Sequence, residues 1–313
     1  MIKTPVVFIV FNRPEVARQV FERIRQAQPP KLLVVCDGPR AHVPTDAARV
    51  AEVRELIAQG VDWTCEVLTN YAQTNMGCGE RVSSGLNWAF SLVEEAIVLE
   101  DDCLPDPAFF PFCEEMLERY RQDETVMHIN GTNFLARHLH PATSYFFSKY
   151  VWVWGWATWR RAWQNYDSTM ASWDKRCPAL NACFDSRRER AFWLSTFNKA
   201  RADWKAANTW DYQWVYTCWS LGGYTVMPSV NLVENLGFGL DSTHTSSATD
   251  YLRMPATPLK VTSHPRTVAR NRVRDQMMFC AYVGEPLHWR AKLKIRFRVY
   301  LQQILNRFSK EPA

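Results

Sequence analysis

The sequence predicts an α/β fold built on a mostly parallel sheet. Three observations predict it. Short apolar runs alternate with helix-spaced apolar stripes through the first hundred residues. The runs are unbroken, as strands covered on both faces are. Polar residues gather where the runs end, which is where open parallel sheets hold ligands.

The elements follow in order. Val6–Phe11 reads as a first strand. Glu15 to Gln26 carries Val16, Val20, Phe21 and Ile24 at helical spacing. Leu32–Cys36 is a second strand, ending in Asp37-Gly38-Pro39. Ala47 to Ala58 repeats the helical stripe through Val50, Val53, Leu56 and Ile57. A weaker third strand covers Val67–Leu68 and ends near Thr69-Asn70. Glu80 to Val93 is a third helix, followed by the strand Ala96–Leu99. Such alternation predicts right-handed crossovers between parallel strands.

The fourth strand ends in Glu100-Asp101-Asp102. Three adjacent carboxylates repel one another, and a divalent cation offsets that repulsion. The run therefore reads as a cation site at the lip of a sheet, or as a strand end that caps the next helix. Asn12-Arg13, Asp37 and Asn70 fall at the same edge, where a nucleotide could lie. Each alone would pass for a turn residue. Asp106 is a natural N-cap with Pro107 in the first turn, and Phe109 to Tyr120 forms a plain core stripe.

From about residue 145 the composition turns aromatic. Trp152, Trp154 and Trp156 alternate, so a strand would put them on one face. Indole rings stack on sugar C–H faces, but they also fill cores. Gly155 between them predicts close backbone approach to something. Trp210-Asp211-Tyr212-Gln213-Trp214 opens a helix or a strand and sets an acid among aromatics, a setting that suits a base. Leu236 to His244 is a glycine- and hydroxyl-bearing loop able to close over phosphates, and His244 could meet a phosphate or a metal. Residues 245–288 are polar and proline-containing and offer no chemistry of their own.

The chain has 313 residues and a net charge of +5. Residues 286–313 hold seven Lys/Arg against Glu311, or +6, leaving −1 elsewhere (30 bases, 31 acids). This argues against nucleic acid across the main body. The segment from Trp289 to Lys310 is a basic amphipathic helix, suited to an anionic membrane surface or to docking on protein. No apolar run reaches the ~18 residues that span a bilayer. Nine scattered cysteines without a Cys-x-x-Cys pair argue against a disulfide framework and a zinc knuckle. A cytoplasmic location, peripheral on the inner face of the membrane, is the expectation. No P-loop, G-x-G-x-x-G, H-E-x-x-H or G-x-S-x-G element is present.

The chain resembles the GT-A glycosyltransferases of the family 2-like kind. Within them it is similar to the catalytic domain of the N-acetylglucosaminyltransferase I family. The resemblance rests on Pro5 to Arg13, Val34-Val35-Cys36-Asp37, Ile97 to Asp102 with Pro107-Ala108-Phe109-Phe110, Gly155-Trp156, Trp210-Asp211, and Gly237-Phe238-Gly239 with Ser242 and His244. It implies a catalytic domain over residues 1–250, with a nucleotide-sugar half (1–124) and a Trp-rich acceptor half (125–250). Residues 251–313 would be a C-terminal extension.

The family pattern also implies roles. Arg13 would contact the nucleotide and Asp37 the uracil of a UDP-sugar. Glu100 and Asp101 would hold sugar and ribose hydroxyls. Asp102 would ligate Mn²⁺ or Mg²⁺ on the diphosphate. Asp211 would be the base, with Trp210 beside the donor sugar. Gly239 to His244, with Ser242, would be a lid. The acceptor half matches only in short patches, which leaves the sugar and the glycan or lipid-linked acceptor open.

The residues support that chemistry directly. A hard cation on carboxylate and phosphate oxygens stabilises a departing diphosphate. A carboxylate that takes the acceptor proton contributes typically ~10²–10⁴-fold. One base candidate beyond the acid cluster favours single-displacement inversion. Two other readings stand beside it. A nucleotidyltransferase would also use strand-end acids, but normally with a glycine- and base-rich loop where Asn12-Arg13-Pro14-Glu15 stands. A non-enzymatic carbohydrate-binding or membrane-associated protein would not need Asp37 beside the acid run.

Overall fold

The computed structural model describes residues 1–138, 142–237 and 254–284, together with Leu293 and Phe297. The first half runs β1 (Val6–Val10), α1 (Pro14–Ala27), β2 (Lys31–Cys36), α2 (Asp46–Gly60), β3 (Glu66–Tyr71), α3 (Cys78–Leu92), β4 (Glu95–Glu100), β5 (Cys103–Pro105), α4 (Phe109–Arg119) and β6 (Val126–Asn130). The second half adds β7 (Tyr145–Ser148), β8 (Trp156–Trp159), α5 (Arg160–Trp163), α6 (Trp173–Ala182), α7 (Arg187–Ala202) and α8 (Trp204–Ala207). It ends with α9 (Asp211–Ser220), β9 (Tyr224–Pro228), β10 (Val233–Asn235) and α10 (Arg272–Tyr282).

Eight strands form one sheet in the order β3-β2-β1-β4-β8-β6-β9-β7. The pairs among β3, β2, β1 and β4 are parallel, as is β6 with β9. Antiparallel β8 is inserted between β4 and β6, and β7 runs antiparallel on the far edge. The sheet is therefore mixed but mostly parallel, as the alternation predicts.

Helices cover both faces. Val6, Phe8 and Val10 of β1 pack with α1, α2 and α4. Val7 and Ile9 pack on the opposite face with α3 and with the Trp-rich helices α7 and α9. All five β1 residues are buried, which is why the run is unbroken in sequence. Each such side chain contributes about 1.5–3 kcal/mol by leaving water. Register fixes the functional edge. Val10 pairs with Cys36 and Ile9 with Glu100, so residues 11–13, 37 and 100–102 emerge together.

The aromatic segment departs from its expected strand. Only Trp156 to Trp159 joins the sheet, while Trp152 and Trp154 lie in irregular backbone. Side chains from β6 and beyond satisfy that backbone instead. Asn130 accepts from Trp152 N at 2.8 Å and donates to Tyr150 O at 3.0 Å. His128 meets Trp152 O at 2.9 Å, and Thr132 donates to Trp154 O at 2.8 Å. With its ladder positions filled this way, the segment needs no partner strand.

Gly155 has φ +65°, and a Cβ there would sit 2.6 Å from Val233. The close approach expected at this glycine is thus to the chain itself. At α4, Asp106 accepts from Ala108 N at 2.8 Å and the helix begins three residues later, at Phe109. Residues 254–284 pack on the body through α10, whose Asp275 accepts from Ser148 at 2.6 Å. Among the described residues no helix is long and apolar enough to cross a membrane.

Candidate active site

Arg13 lies in the short turn after β1 and is the N-cap residue of α1, which Pro14 opens. Its guanidinium reaches the end of β4. Nη1 donates to Asp102 Oδ2 at 3.0 Å, and Nη2 donates to Asp101 Oδ1. Asp101 also accepts from Phe11 N at 3.1 Å, so β1 and β4 are tied at their carboxyl ends. Asp101 is 3% exposed. Burial alone would drive its carboxyl up, and it does lie above its usual range despite Arg13.

Among the described residues, Glu100 forms no ion pair of its own. Burial of its carboxyl, then the charges of Asp102 and Asp101, push it up to about 8, and Asp211 adds to the rise. Glu100 therefore lies in the field of Asp101, Asp102, Asp211 and the Arg13 guanidinium. The Asp211 charge, at the first turn of α9, is also felt at Cys78, Tyr166, Tyr212 and Tyr282. The sheet edge and the Trp-rich half meet at this point.

Asp37 stands at the end of β2 and is 5% exposed. Its Oδ1 accepts from Gly38 N at 2.8 Å and Met76 N at 2.9 Å. Its Oδ2 accepts from Asn75 Nδ2 at 2.9 Å and Gly77 N at 3.1 Å. The carboxylate thereby pins the loop that enters α3. Asn70 lies within β3, where its Oδ1 accepts from buried Arg81 at 2.6 Å. Trp210 is 3% exposed, and its ring stacks on Trp156 at 5.7 Å. It sits in the core beneath Asp211, with Tyr166 donating to its carbonyl at 3.2 Å.

Gly237 lies against Asp102. A Cβ there would stand 2.3 Å from Asp102 Oδ2, so the space admits only hydrogen. Leu236 N donates to the Asp102 carbonyl at 2.8 Å, and β10 pairs with β5 just after the acid run. The start of the expected lid loop is therefore docked on the acids. Gly239, Ser242 and His244 lie outside the described residues.

The structure brings Arg13, Glu100, Asp101, Asp102 and Asp211 together, with Asp37 along the same edge. Cys78, Gly77 and Asn208 were not singled out by sequence reasoning. Gly77 has φ +81° and abuts Asn208, whose Oδ1 accepts from Gly79 N at 3.1 Å and so caps α3. The flanking glycines of Gly77-Cys78-Gly79 are the signal that marked this close approach. Among the described residues, no three His, Cys, Asp or Glu side chains form a ready cation cage.

No protein-family model matches the chain, and no curated protein matches it. Solved structures do resemble parts of it. One is the mannosyltransferase PcManGT from Pyrobaculum calidifontis in complex with GDP-Man and Mn²⁺ (15% identity, TM-score 0.35, 50% of this chain and 45% of that one). Another is the galactosyltransferase LgtC in complex with donor and acceptor sugar analogues (12%, TM-score 0.34, 55% and 64%). A third is UDP-glucose pyrophosphorylase complexed with UDP-glucose (12%, TM-score 0.24, 47% and 62%). The chain spans less than two thirds of each of these structures. Likeness at this level carries no function, which has to be read from the site.

Proposed function

We propose that this chain is an inverting, divalent-metal-dependent glycosyltransferase of the GT-A kind, related to the N-acetylglucosaminyltransferase I family. It would move a sugar from a nucleotide-sugar, a UDP-sugar by preference, to a hydroxyl of a glycan or glycolipid. One observation carries this reading. Glu100, Asp101, Asp102 and Asp211 share a field with the Arg13 guanidinium at the carboxyl edge of a parallel sheet. Such an edge is where nucleotides bind in open α/β folds.

The residues fit a hard cation. Burial, and then the charges of Asp102 and Asp101, raise Glu100 above an ordinary carboxylate, and a divalent ion would relieve the repulsion among the three. Asp102 is the ligand assigned here, because it follows the end of β4 and its side chain is less buried than that of Asp101. Mg²⁺ and ions like it use one or two carboxylates and take their remaining oxygens from phosphates and water, so a complete protein cage is not needed. When bound, the ion stabilises negative charge on the leaving diphosphate.

The side chains then divide the work. Arg13 holds Asp101 and Asp102 in place and faces the phosphates. Asp37 shapes the base pocket through the 75–77 loop, and Glu100 and Asp101 take donor hydroxyls. Asp211 accepts the proton of the acceptor hydroxyl as its oxygen bonds to the anomeric carbon. The bond from that carbon to the diphosphate breaks with its electron pair going to the nucleoside diphosphate. Attack from the opposite side inverts the centre. Trp210 backs Asp211 from the core, and Ser242 and His244 belong to the proposed lid. The basic segment 289–310, of which only Leu293 and Phe297 are described, is proposed to rest on anionic membrane.

The test is a panel of UDP-, GDP- and CMP-sugars with Mn²⁺ or Mg²⁺. One donor should raise the melting temperature, since ligand binding to the native state stabilises it by mass action. The same donor should release nucleoside diphosphate. Release of pyrophosphate from a nucleoside triphosphate would replace this reading with nucleotidyl transfer.

A further inference from the structure

Helix α3 is capped from outside. Its N-cap, Gly77, has no side chain to offer the free amides of the first turn, where Ser, Thr, Asp or Asn usually stands. Asn208 supplies the missing acceptor from 129 residues away, its Oδ1 accepting from Gly79 N at 3.1 Å. Asn208 ends α8 in the left-handed region, at φ 47° and ψ 37°, a conformation that Asn adopts more readily than most residues. The fit is close at two points. A Cβ on Gly77 would stand 2.7 Å from Asn208 Oδ1, and one on Gly79 would stand 2.9 Å from the Thr209 carbonyl oxygen. Two glycines thus let the 208–209 backbone lie on the first turn of α3.

Both sides of that junction lead to the site. On the α3 side, Gly77 N donates to Asp37 Oδ2 at 3.1 Å, so one residue is held by Asp37 and abutted by Asn208. On the other side, Thr209, Trp210 and Asp211 follow at once. Thr209 Oγ1 donates to Gln213 Oε1 at 3.3 Å across the first turn of α9, and the Trp210 carbonyl accepts from Tyr166 at 3.2 Å. Between the two glycines, Cys78 lies in the fields of Glu100, Asp211, Asp102 and Asp37, which sets the junction beside the acids. A cap that served α3 alone could come from its own N-cap residue. This one comes from the segment that leads into α9.

We propose that Asn208 is a positioning residue for the transfer step: by capping α3 from the segment that leads into α9, it fixes Asp211 against the nucleotide-bearing edge. This rests on the transferase reading above, in which Asp211 is the base. A reacting group displaced by about 1 Å can cost on the order of 10²-fold in rate, so a cap that touches no substrate still sets the rate.

Release of nucleoside diphosphate by the full chain tests it, with Mg²⁺, water as acceptor and the donor that the parent consumes from the panel of nucleotide-sugars. Asn208→Gly keeps the left-handed backbone and loses the cap. It should lower kcat roughly ten- to hundredfold while the donor KM stays within about threefold. Asn208→Asp keeps an acceptor, and a carboxylate suits a helix N-terminus, so kcat should return to within about threefold of the parent. Asp203→Ala is the structural control. It removes the side chain that caps α8 by accepting from Ala206 N at 2.9 Å, and it leaves Asn208 in place. Its kcat should stay within about twofold of the parent. Rates are taken on samples that thermal unfolding shows to be folded. Parent-like kcat in Asn208→Gly, an equal loss in Asp203→Ala, a rise in KM alone, or an Asn208→Asp no better than Asn208→Gly overturns the positioning role and leaves the transferase standing. No donor consumed by the parent sinks the transferase, and the positioning role with it.

Discussion

Arg13, at the end of β1, donates to Asp102, at the end of β4, across a gap of 3.0 Å. The same guanidinium holds buried Asp101, so one cation serves two carboxylates. Breaking a buried pair from one side costs about 3–5 kcal/mol, because the remaining charge is left uncompensated. Arg13→Met should therefore lose about 3 kcal/mol in urea unfolding at pH 7. The sign with pH follows. Without Arg13 the Asp101 carboxyl rises further above its unfolded value, so the deficit is largest at neutral pH and shrinks toward pH 4. Adding Asp101→Asn should recover most of the loss, and a double variant no better than Arg13→Met would rule out this account.

The carboxylates are not interchangeable. Asp211→Asn should lower kcat by about 10²–10⁴-fold, the usual worth of a general base, and still show the nucleotide-induced thermal shift. Asp102→Asn should lose the part of that shift that depends on Mg²⁺ or Mn²⁺. If Asp102→Asn keeps its metal dependence, the ion is held elsewhere.

Gly237 offers a steric test. Its Cβ would clash with Asp102 Oδ2 at 2.3 Å, so Gly237→Ala must move either the carboxylate or β10. The expected result is a weakened metal-dependent nucleotide shift with thermal stability of the free protein lowered by about 1–3 kcal/mol, the range for overpacking. Parent-like nucleotide binding in this variant would separate the lid from the acids.

His128 gives a pH signature away from the site. It stacks on Trp156 at 4.9 Å, accepts from Trp214 Nε1 at 3.1 Å and donates to Trp152 O at 2.9 Å. Burial holds its pKa down at about 3. The folded state thus binds fewer protons than the unfolded one between about pH 6.5 and pH 3, and stability falls as pH drops through that window, by at most ~1.4 kcal/mol per unit. Asp275, pushed up to about 6 by burial, gives the opposite slope between about pH 4 and pH 6. The difference between parent and His128→Phe isolates the histidine. That variant should be weaker at pH 7 yet flatter with acid, and equal slopes would contradict the assignment.

The parallel half was legible because strands covered on both faces leave unbroken apolar runs, and their ends name the edge. Arg13, Asp37 and residues 100–102 were found that way. The Trp152–Trp154 segment was not, because alternation in sequence cannot reveal that His128, Asn130 and Thr132 take the place of a strand partner. Tyr282 was invisible for another reason. It reaches Tyr212 from a helix 70 residues away, through contacts that no local period records. Most of the tryptophans, read as either core or sugar platform, are core.

Donor turnover followed by ¹H NMR tests the central claim most directly. The parent chain with Mg²⁺ and the panel of nucleotide-sugars should consume one of them, releasing nucleoside diphosphate and a sugar product of inverted anomeric configuration. Asp102→Asn should abolish that consumption. Retained configuration, or no consumption of any donor by folded protein, would contradict it.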